Sequence, residues 1–357
     1  METMTTMDAA TQAQARERLD ALWARGCEFL GCEVAILGGA MSWISERNLV
    51  NAISQAGGFG VIAAGSMPAE ILRTEIRETR ALMEASGGLK PFGINLITMH
   101  PDLDDLISVC LEENISHVVL AGGLPTGESI RRLKSGGIRV LCFAPALALA
   151  KKLIRTGADA LIIEGTEAGG HIGPVATSIL AQEILPEIRD VPVFIAGGIG
   201  RGEAIVSYLE MGASGVQLGT RFVCATECIA HPNFKQAFIR GRARDAMPTL
   251  QIDERFPVIP VRALPNEGTR LFMEKQRDVV ARFERGEIDQ KAGQMEIEHF
   301  WAGALKRAAI DGDVENGSIM AGQSVGLITC EQPAREIIAE LCEQAVHSLA
   351  ARPGVGA

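Results

Sequence analysis

One histidine of the sequence lies in an unusually glycine-rich segment, residues 164–173, which reads EGTEAGGHIG. The pKa of a free imidazole lies near neutrality, so His171 could give a proton to a bound ligand or accept one from it. The glycines beside it would let a ligand approach the backbone closely. The alternative is a loop histidine whose ring is satisfied by backbone groups. The fold around this segment decides between the two interpretations.

Two further glycine-rich segments have the composition of phosphate-binding loops. They are residues 196–200, AGGIG, and residues 217–221, QLGTR. Bare backbone N–H groups and the N-terminus of a following helix attract anions, and Thr220 would add a hydroxyl donor. Alternatively, these glycines only form tight turns between strands and helices. Two such segments in succession favour a cofactor that carries a phosphate.

The elements that would position these segments follow a regular pattern from about residue 33 to 225, in which short apolar strands alternate with amphipathic helices. The strands are almost continuously apolar, as is typical of parallel sheets that are buried on both faces. Their predicted ranges are 33–37, 60–65, 91–97, 117–123, 139–145, 160–165, 191–198 and 215–222. Eight such units predict an α/β fold, a (β/α)8 TIM barrel, with a doubly wound open sheet as the alternative. All three glycine-rich segments follow strands at the barrel's C-terminal face, where active sites lie.

The pattern also predicts how the 357 residues are divided. An N-terminal extension covers residues 1–32, and the cofactor-binding barrel covers residues 33–228. A helical cap that shapes the substrate region follows as residues 229–330. Residues 331–357 form a C-terminal helix and tail that pack on the barrel, and the last residues, RPGVGA, are expected to be frayed.

Composition excludes several classes of protein. A formal net charge of −10 argues against nucleic acid or an anionic membrane as the main partner. No apolar run approaches the roughly 18 residues of a membrane helix, and the N-terminus lacks the pattern of a secretory signal. The eight cysteines are scattered without the clustered spacing of a metal site. We therefore expect a cytoplasmic protein without a bound metal.

Several segments together resemble one enzyme family. They are GGAMSW (38–43), QAGGFGVIAAG (55–65), PFGINL (91–96), EGTEAGGHIG (164–173), AGGIGRGEA (196–204), GVQLGTRFV (215–223), HPNFK (231–235) and GDVENGSIMAGQSVGLI (312–328). In this order they are similar to the FMN-dependent nitronate monooxygenases, also called 2-nitropropane dioxygenases. Within that family the chain most resembles the flavin-dependent enoyl-acyl carrier protein reductases known as FabK. The resemblance implies a TIM barrel that binds one non-covalent FMN at its mouth.

The resemblance also assigns residues to roles. His171 aligns with the catalytic histidine of the family. The implied cofactor-binding residues are Gly39, Ala40, Met41, Asn95, Glu164, Gly169, Gly170, Ala196, Gly197, Gly198, Gln217, Leu218, Gly219, Thr220, Met320, Gly322 and Gln323.

The leading hypothesis for the activity is the NAD(P)H-dependent reduction of an enoyl thioester. In the reductase branch NAD(P)H reduces FMN, and hydride then passes from flavin N5 to the β-carbon of the substrate. The first alternative is a nitronate monooxygenase, which consumes oxygen and needs no nicotinamide, although Ala40 stands where those enzymes usually have a proline. Quinone reductases share the scaffold, and a non-redox barrel enzyme with a phosphorylated ligand is a further alternative. The expected partners are a small-molecule or acyl-thioester substrate and a second copy of the chain in a homodimer.

Overall fold

The computed structural model describes residues 9–352, and its centre is a closed parallel β-barrel. Twelve strands form in the described part of the chain. In chain order they are β1 (Ile36–Gly38), β2 (Gly60–Ala63), β3 (Phe92–Ile97), β4 (His117–Ala121), β5 (Arg139–Phe143), β6 (Ala160–Glu164), β7 (Gly170–His171), β8 (Val193–Ala196), β9 (Gly215–Leu218), β10 (Met247–Pro248), β11 (Val261–Leu264) and β12 (Ile319–Met320).

The barrel contains eight of these strands in the order β1-β9-β8-β6-β5-β4-β3-β2, and every neighbouring pair is parallel. Main-chain hydrogen bonds close it between β1 and the residue before β2. The N–H of Phe59 donates to the carbonyl of Ile36, and the N–H of Gly38 donates to the carbonyl of Phe59, both at 2.9 Å. The predicted TIM barrel is therefore confirmed, and the open sheet is excluded.

The helices surround the barrel and extend beyond it. They are α1 (Ala9–Leu30), α2 (Arg47–Gln55), α3 (Ala69–Ser86), α4 (Leu103–Glu112), α5 (Gly127–Ser135), α6 (Leu147–Thr156), α7 (Thr177–Ile184), α8 (Gly202–Glu210), α9 (Thr220–Val223), α10 (Pro232–Arg240), α11 (Glu267–Glu284), α12 (Gln290–Phe300), α13 (Ala304–Ala309) and α14 (Ala334–Ala350). In α2 the apolar stripe Leu49, Val50 and Ile53 is buried, as its spacing predicts. No helix within residues 9–352 is long and apolar enough to cross a membrane.

The two terminal helices belong to the helical layer. Helix α1 buries Leu19 and Trp23 and packs against α14, which in turn packs against α8. Arg18 of α1 reaches Glu210 at the end of α8 at 2.8 Å, and Arg352 contacts the same carboxylate. The expected frayed tail lies outside the described residues from position 353 onward.

Two details differ from the predicted elements. The last barrel strand ends at Leu218, and residues predicted to continue it form the short helix α9, because the chain turns at Gly219. The segment after the barrel is not purely helical. It contributes β10, β11 and β12 to a small antiparallel sheet, and β7 from the barrel face pairs with β11. Helices α11 and α12 share a separate small core around Phe256 and Phe272.

Candidate functional site

A cavity of about 830 Å³ opens at the C-terminal ends of the barrel strands. Its lining includes His171 and every predicted cofactor residue except Gly322 and Gln323. The barrel thus brings together loops that are far apart in the sequence. Apolar side chains complete the lining towards the mouth, among them Met99, Leu124 and Ile259.

One wall of the cavity is built from main-chain N–H groups. Gly197 and Gly198 have φ angles of +90° and +76°, which glycine adopts without strain. Neither their N–H groups nor that of Gly219 has an acceptor among residues 9–352. Thr220 Oγ1 accepts a hydrogen bond from the N–H of Gly322 at 3.0 Å, which leaves its own hydrogen free to donate. Such a group of free donors fits a phosphate.

The loop that carries His171 is held against the returning segment of residues 321–323. A Cβ atom at Gly169 would lie 2.5 Å from the nitrogen of Gly322, so only glycine fits there. The N–H of Gln323 donates to the carbonyl of Glu167 at 2.9 Å. Gly322 and Gln323 therefore support the loop and Thr220 from behind and do not themselves line the cavity.

The turn after β1 forms another part of the wall. The N–H of Gly39 donates to the carbonyl of Leu218 at 2.8 Å, which joins β1 to β9. Ser45 fixes the residues that follow, because its Oγ accepts from the N–H of Met41 at 2.9 Å and donates to the carbonyl of Gly39 at 3.1 Å. This network holds Met41 against Gly219 at the edge of the cavity.

The floor of the cavity carries two polar side chains without protein partners. Glu164, Ala196 and Gln217 are paired in register across β6, β8 and β9, so all three side chains point into the barrel. The small Ala196 leaves room between a carboxyl and an amide whose strands lie about 10 Å apart. Within residues 9–352 neither Glu164 nor Gln217 has a hydrogen-bond partner for its side chain. A ligand that offers both a donor and an acceptor fits this floor.

Asn95 contributes to the cavity from the other side of the barrel. Its side chain is buried and donates to the carbonyl of Val119 at 3.4 Å, and its amide oxygen has no partner among residues 9–352.

Burial of Glu164 changes its proton affinity. Loss of water around the carboxyl raises its pKa to about 8, and no nearby charge contributes to the shift. The carboxyl is therefore largely neutral at pH 7 and can donate a hydrogen bond or a proton.

His171 reaches the mouth of the cavity on strand β7. It pairs with Val261 of β11, and the N–H of Ile172 donates to the carbonyl of Pro260 at 3.1 Å. The ring has no hydrogen-bond partner among residues 9–352 and is exposed on the cavity side. The surrounding protein still removes enough water to lower the pKa of His171 below its ordinary value. The ring is therefore neutral at pH 7 and free to contact a ligand. The alternative, in which backbone groups bind the ring, finds no such partner among residues 9–352.

A buried arginine that sequence analysis did not identify secures the His171 loop. Arg262 of β11 is only 5% exposed, and it donates to the carbonyl of Thr166 at 2.8 Å and to the carbonyl of Ala246. Burial lowers the pKa of this guanidinium, which forms no ion pair with a described carboxylate. Arg262 pairs in register with Gly170, directly beside His171. Its only sequence signal is an arginine in the short apolar run VRAL.

Comparison with known proteins places this geometry among related enzymes. The sequence model of the nitronate monooxygenase family matches residues 25–344. A nitronate monooxygenase of Paraburkholderia phytofirmans is 30% identical, with 90% of this chain and 94% of the relative covered. A 5-hydroxy-7a-methyl-1-oxo-octahydro-1H-indene-4-carboxyl-CoA dehydrogenase of Mycobacterium tuberculosis is 27% identical over 90% of this chain and 96% of the relative. The solved structure of FabK from Thermotoga maritima is 36% identical with a TM-score of 0.80, over 91% of this chain and 96% of that chain.

Proposed function

Since the chain belongs to the nitronate monooxygenase family of oxidoreductases, we propose that it is an FMN-dependent enzyme that reduces an enoyl thioester with NAD(P)H. The observation that carries the proposal is the single cavity in which free backbone donors, two unpartnered floor groups and His171 meet. The similarity to FabK supports the choice of branch. The dehydrogenase relative acts on a carboxyl-CoA, which is also a thioester.

The residues present fit FMN. The free N–H groups of Gly197, Gly198 and Gly219, with Thr220, would hold its phosphate. Asn95, Glu164 and Gln217 would offer donors and acceptors to the edge of the flavin ring. When bound, FMN supplies the group that takes hydride from the nicotinamide and returns it to the substrate.

The two titratable groups of the cavity have opposite proton states. At neutral pH Glu164 keeps its proton because its pKa is raised to about 8, while His171 is neutral because its pKa is lowered. Environments that separate pKa values in this way assign acid and base roles. Glu164 is thus the group with a proton to give, and the neutral ring of His171 accepts a proton or donates a hydrogen bond to the substrate carbonyl. Reduction of an enoyl thioester needs one proton for the α-carbon, and a hydrogen bond to the carbonyl oxygen would stabilise the negative charge that hydride addition places there.

The second candidate is oxidation of an alkyl nitronate. The Paraburkholderia relative carries that activity in its name. An unpartnered neutral His171 at the mouth would also suit it, because a neutral imidazole can accept a proton from a nitroalkane or donate a hydrogen bond to a nitro oxygen.

Mixing experiments under anaerobic conditions separate the candidates. The purified protein should be yellow, release FMN on heating and bleach on addition of NADH or NADPH, with colour restored by an enoyl thioester. A colourless protein that takes up no FMN would contradict the flavoenzyme. If neither nicotinamide bleaches the flavin but an alkyl nitronate does, and oxygen is then consumed, the second candidate replaces the first.

Replacing His171 tests its role. The His171→Ala variant should keep FMN but lose about 10²- to 10⁴-fold in turnover, the range of general acid–base catalysis. Flavin absorbance per protein serves as the control. It should not change, because His171 pairs with β11 through its backbone and the substitution removes only its ring. Unchanged turnover with both substrate classes would exclude a catalytic role. A homodimer and a cytoplasmic location stay predictions from the sequence.

A further inference from the structure

A tryptophan in a strained conformation stands beside the cavity mouth. Trp43 has a φ angle of +72°, and within residues 9–352 it shares a positive φ with one other non-glycine residue, Asn114. Asparagine tolerates this region, whereas for a bulky residue it is a true outlier. Trp43 is nevertheless 39% exposed, so the strain does not serve to bury the indole. Strain of this kind persists where the surroundings impose it, and it is concentrated at ligand sites.

The surroundings of Trp43 impose its conformation through the turn of residues 41–45. The N–H groups of Ile44 and Ser45 both donate to the carbonyl of Met41, at 3.2 and 2.9 Å. Ser45 Oγ in turn bonds to the N–H of Met41 and to the carbonyl of Gly39, which ties the end of the turn to its beginning. The same hydrogen bonds that shape the cavity wall therefore hold the indole outward.

An unpaired cation lies over the indole. Lys306 of α13 has its Nζ 5.3 Å from the centre of the Trp43 ring. Lys306 is exposed and forms no ion pair with a described carboxylate. An aromatic face and a free ammonium thus stand together, a combination that suits a flat base joined to phosphate.

This pair lies at the edge of the cavity and not inside it. Ser42 and Ile44, on either side of Trp43, line the cavity, as does Leu305 beside Lys306. A cavity of about 830 Å³ is the size that holds one drug-sized ligand. With FMN bound, the cavity has room only for the reactive end of a second substrate. The remainder of NAD(P)H, or of a coenzyme A thioester, must lie at the mouth.

We propose that Trp43 and Lys306 form a binding site for the adenosine diphosphate part of the substrate, with adenine stacked on the indole and phosphate beside the ammonium. NAD(P)H and coenzyme A both carry this chemistry. The inference rests on the proposed function for the identity of the substrate, but not for the existence of the site.

Direct binding tests the site without turnover. ADP is titrated into the FMN-loaded protein by calorimetry, with Trp43→Ala, Trp43→Phe and Lys306→Ala as variants. Loss of base stacking should raise the Kd of ADP about 10- to 100-fold in Trp43→Ala, and Trp43→Phe should restore most of the affinity. Lys291→Ala removes an exposed lysine of α12 and serves as the matched control, with unchanged affinity. Equal affinity in all five proteins, or no binding of ADP to the wild type, would overturn the inference.

Steady-state kinetics then identify the source of the nucleotide. If the site binds the adenosine diphosphate part of coenzyme A, Trp43→Ala should raise KM for an enoyl-CoA but not for the same enoyl group on pantetheine. If the site binds the adenosine diphosphate part of NAD(P)H, Trp43→Ala should raise KM for NAD(P)H with both thioesters. If the wild type reduces enoyl thioesters but neither KM changes, the inference fails and the proposed function stands. If ADP binds through Trp43 while no enoyl thioester is reduced, the proposed function fails and the site stands.

Discussion

The unpartnered carboxyl of Glu164 makes the stability of the protein depend on pH in a calculable way. In the unfolded chain this group ionises near pH 4.5, whereas burial raises its pKa in the folded protein to about 8. Between these values the folded protein holds a proton that the unfolded chain has lost. Stability contributed by the neutral carboxyl is therefore lost as pH rises and is fully lost above about pH 8.

The expected size follows from the shift. Each pH unit inside this window changes the free energy of unfolding by about 1.4 kcal/mol, so the two units between pH 6 and pH 8 amount to about 3 kcal/mol. This is an upper limit, because the carboxyl lines a cavity that water can enter and screen. The Glu164→Gln variant keeps the shape and hydrogen-bonding capacity of the side chain but has no proton to lose.

Urea unfolding of the flavin-free protein at pH 6 and pH 9 measures the effect. All other ionisable groups are common to wild type and variant, so the difference between their two pH responses isolates Glu164. We expect the wild type to lose up to about 3 kcal/mol more than Glu164→Gln between these pH values. Equal losses in the two proteins would mean that the carboxyl ionises normally, and the assignment of Glu164 as a proton donor at neutral pH would be wrong.

Substitutions at Gly169 and Arg262, each with a matched control variant, separate cofactor binding from positioning of the catalytic ring. Gly169→Ala should abolish FMN retention, because its Cβ would lie 2.5 Å from a main-chain nitrogen, whereas Gly173→Ala in the same loop meets nothing within 4 Å and should retain FMN; flavin absorbance after gel filtration measures both. Arg262→Met should keep FMN but lower kcat at least tenfold and move the pH profile of kcat/KM towards the ordinary pKa of histidine. Arg262→Lys should restore part of the lost kcat. A wild-type pH profile in Arg262→Met would show that Arg262 is not needed to position His171.

The barrel could be predicted because its signals are local. Strands such as β3 and β6 are apolar runs bounded by glycine or proline, and the parallel pairing of successive strands follows from the helices between them. The C-terminal ends of the strands must then meet at one face of the barrel, which predicts that the loops around Gly197, Gly219 and His171 lie together. Of the 16 predicted residues that line the cavity, 15 lie there for that reason, and Met320 reaches the cavity from β12.

The parts that could not be predicted depend on contacts between distant segments. Strand β11 is four residues long, and it becomes a strand only because β7, β10 and β12 supply its partners. Strand β7 consists of Gly170 and His171, too short for any periodicity. The proton state of Glu164 likewise depends on the walls that surround it and on no neighbouring residue in the chain.

This difference has a functional consequence. Several residues that would hold the cofactor lie on barrel loops whose hydrogen bonds are made within the barrel, such as Gly39 to Leu218, while residues 320–323 of the returning segment support Thr220 and the loop of Gly169. His171 lies instead on a strand whose partner, β11, belongs to the segment after the barrel. We therefore expect changes around β11 to move the ring and reshape the mouth while the hydrogen bonds within the barrel loops stay intact. Relatives of this chain are named for different activities, a carboxyl-CoA dehydrogenase and a nitronate monooxygenase, and we expect the segment around β11 to contribute to such differences in substrate.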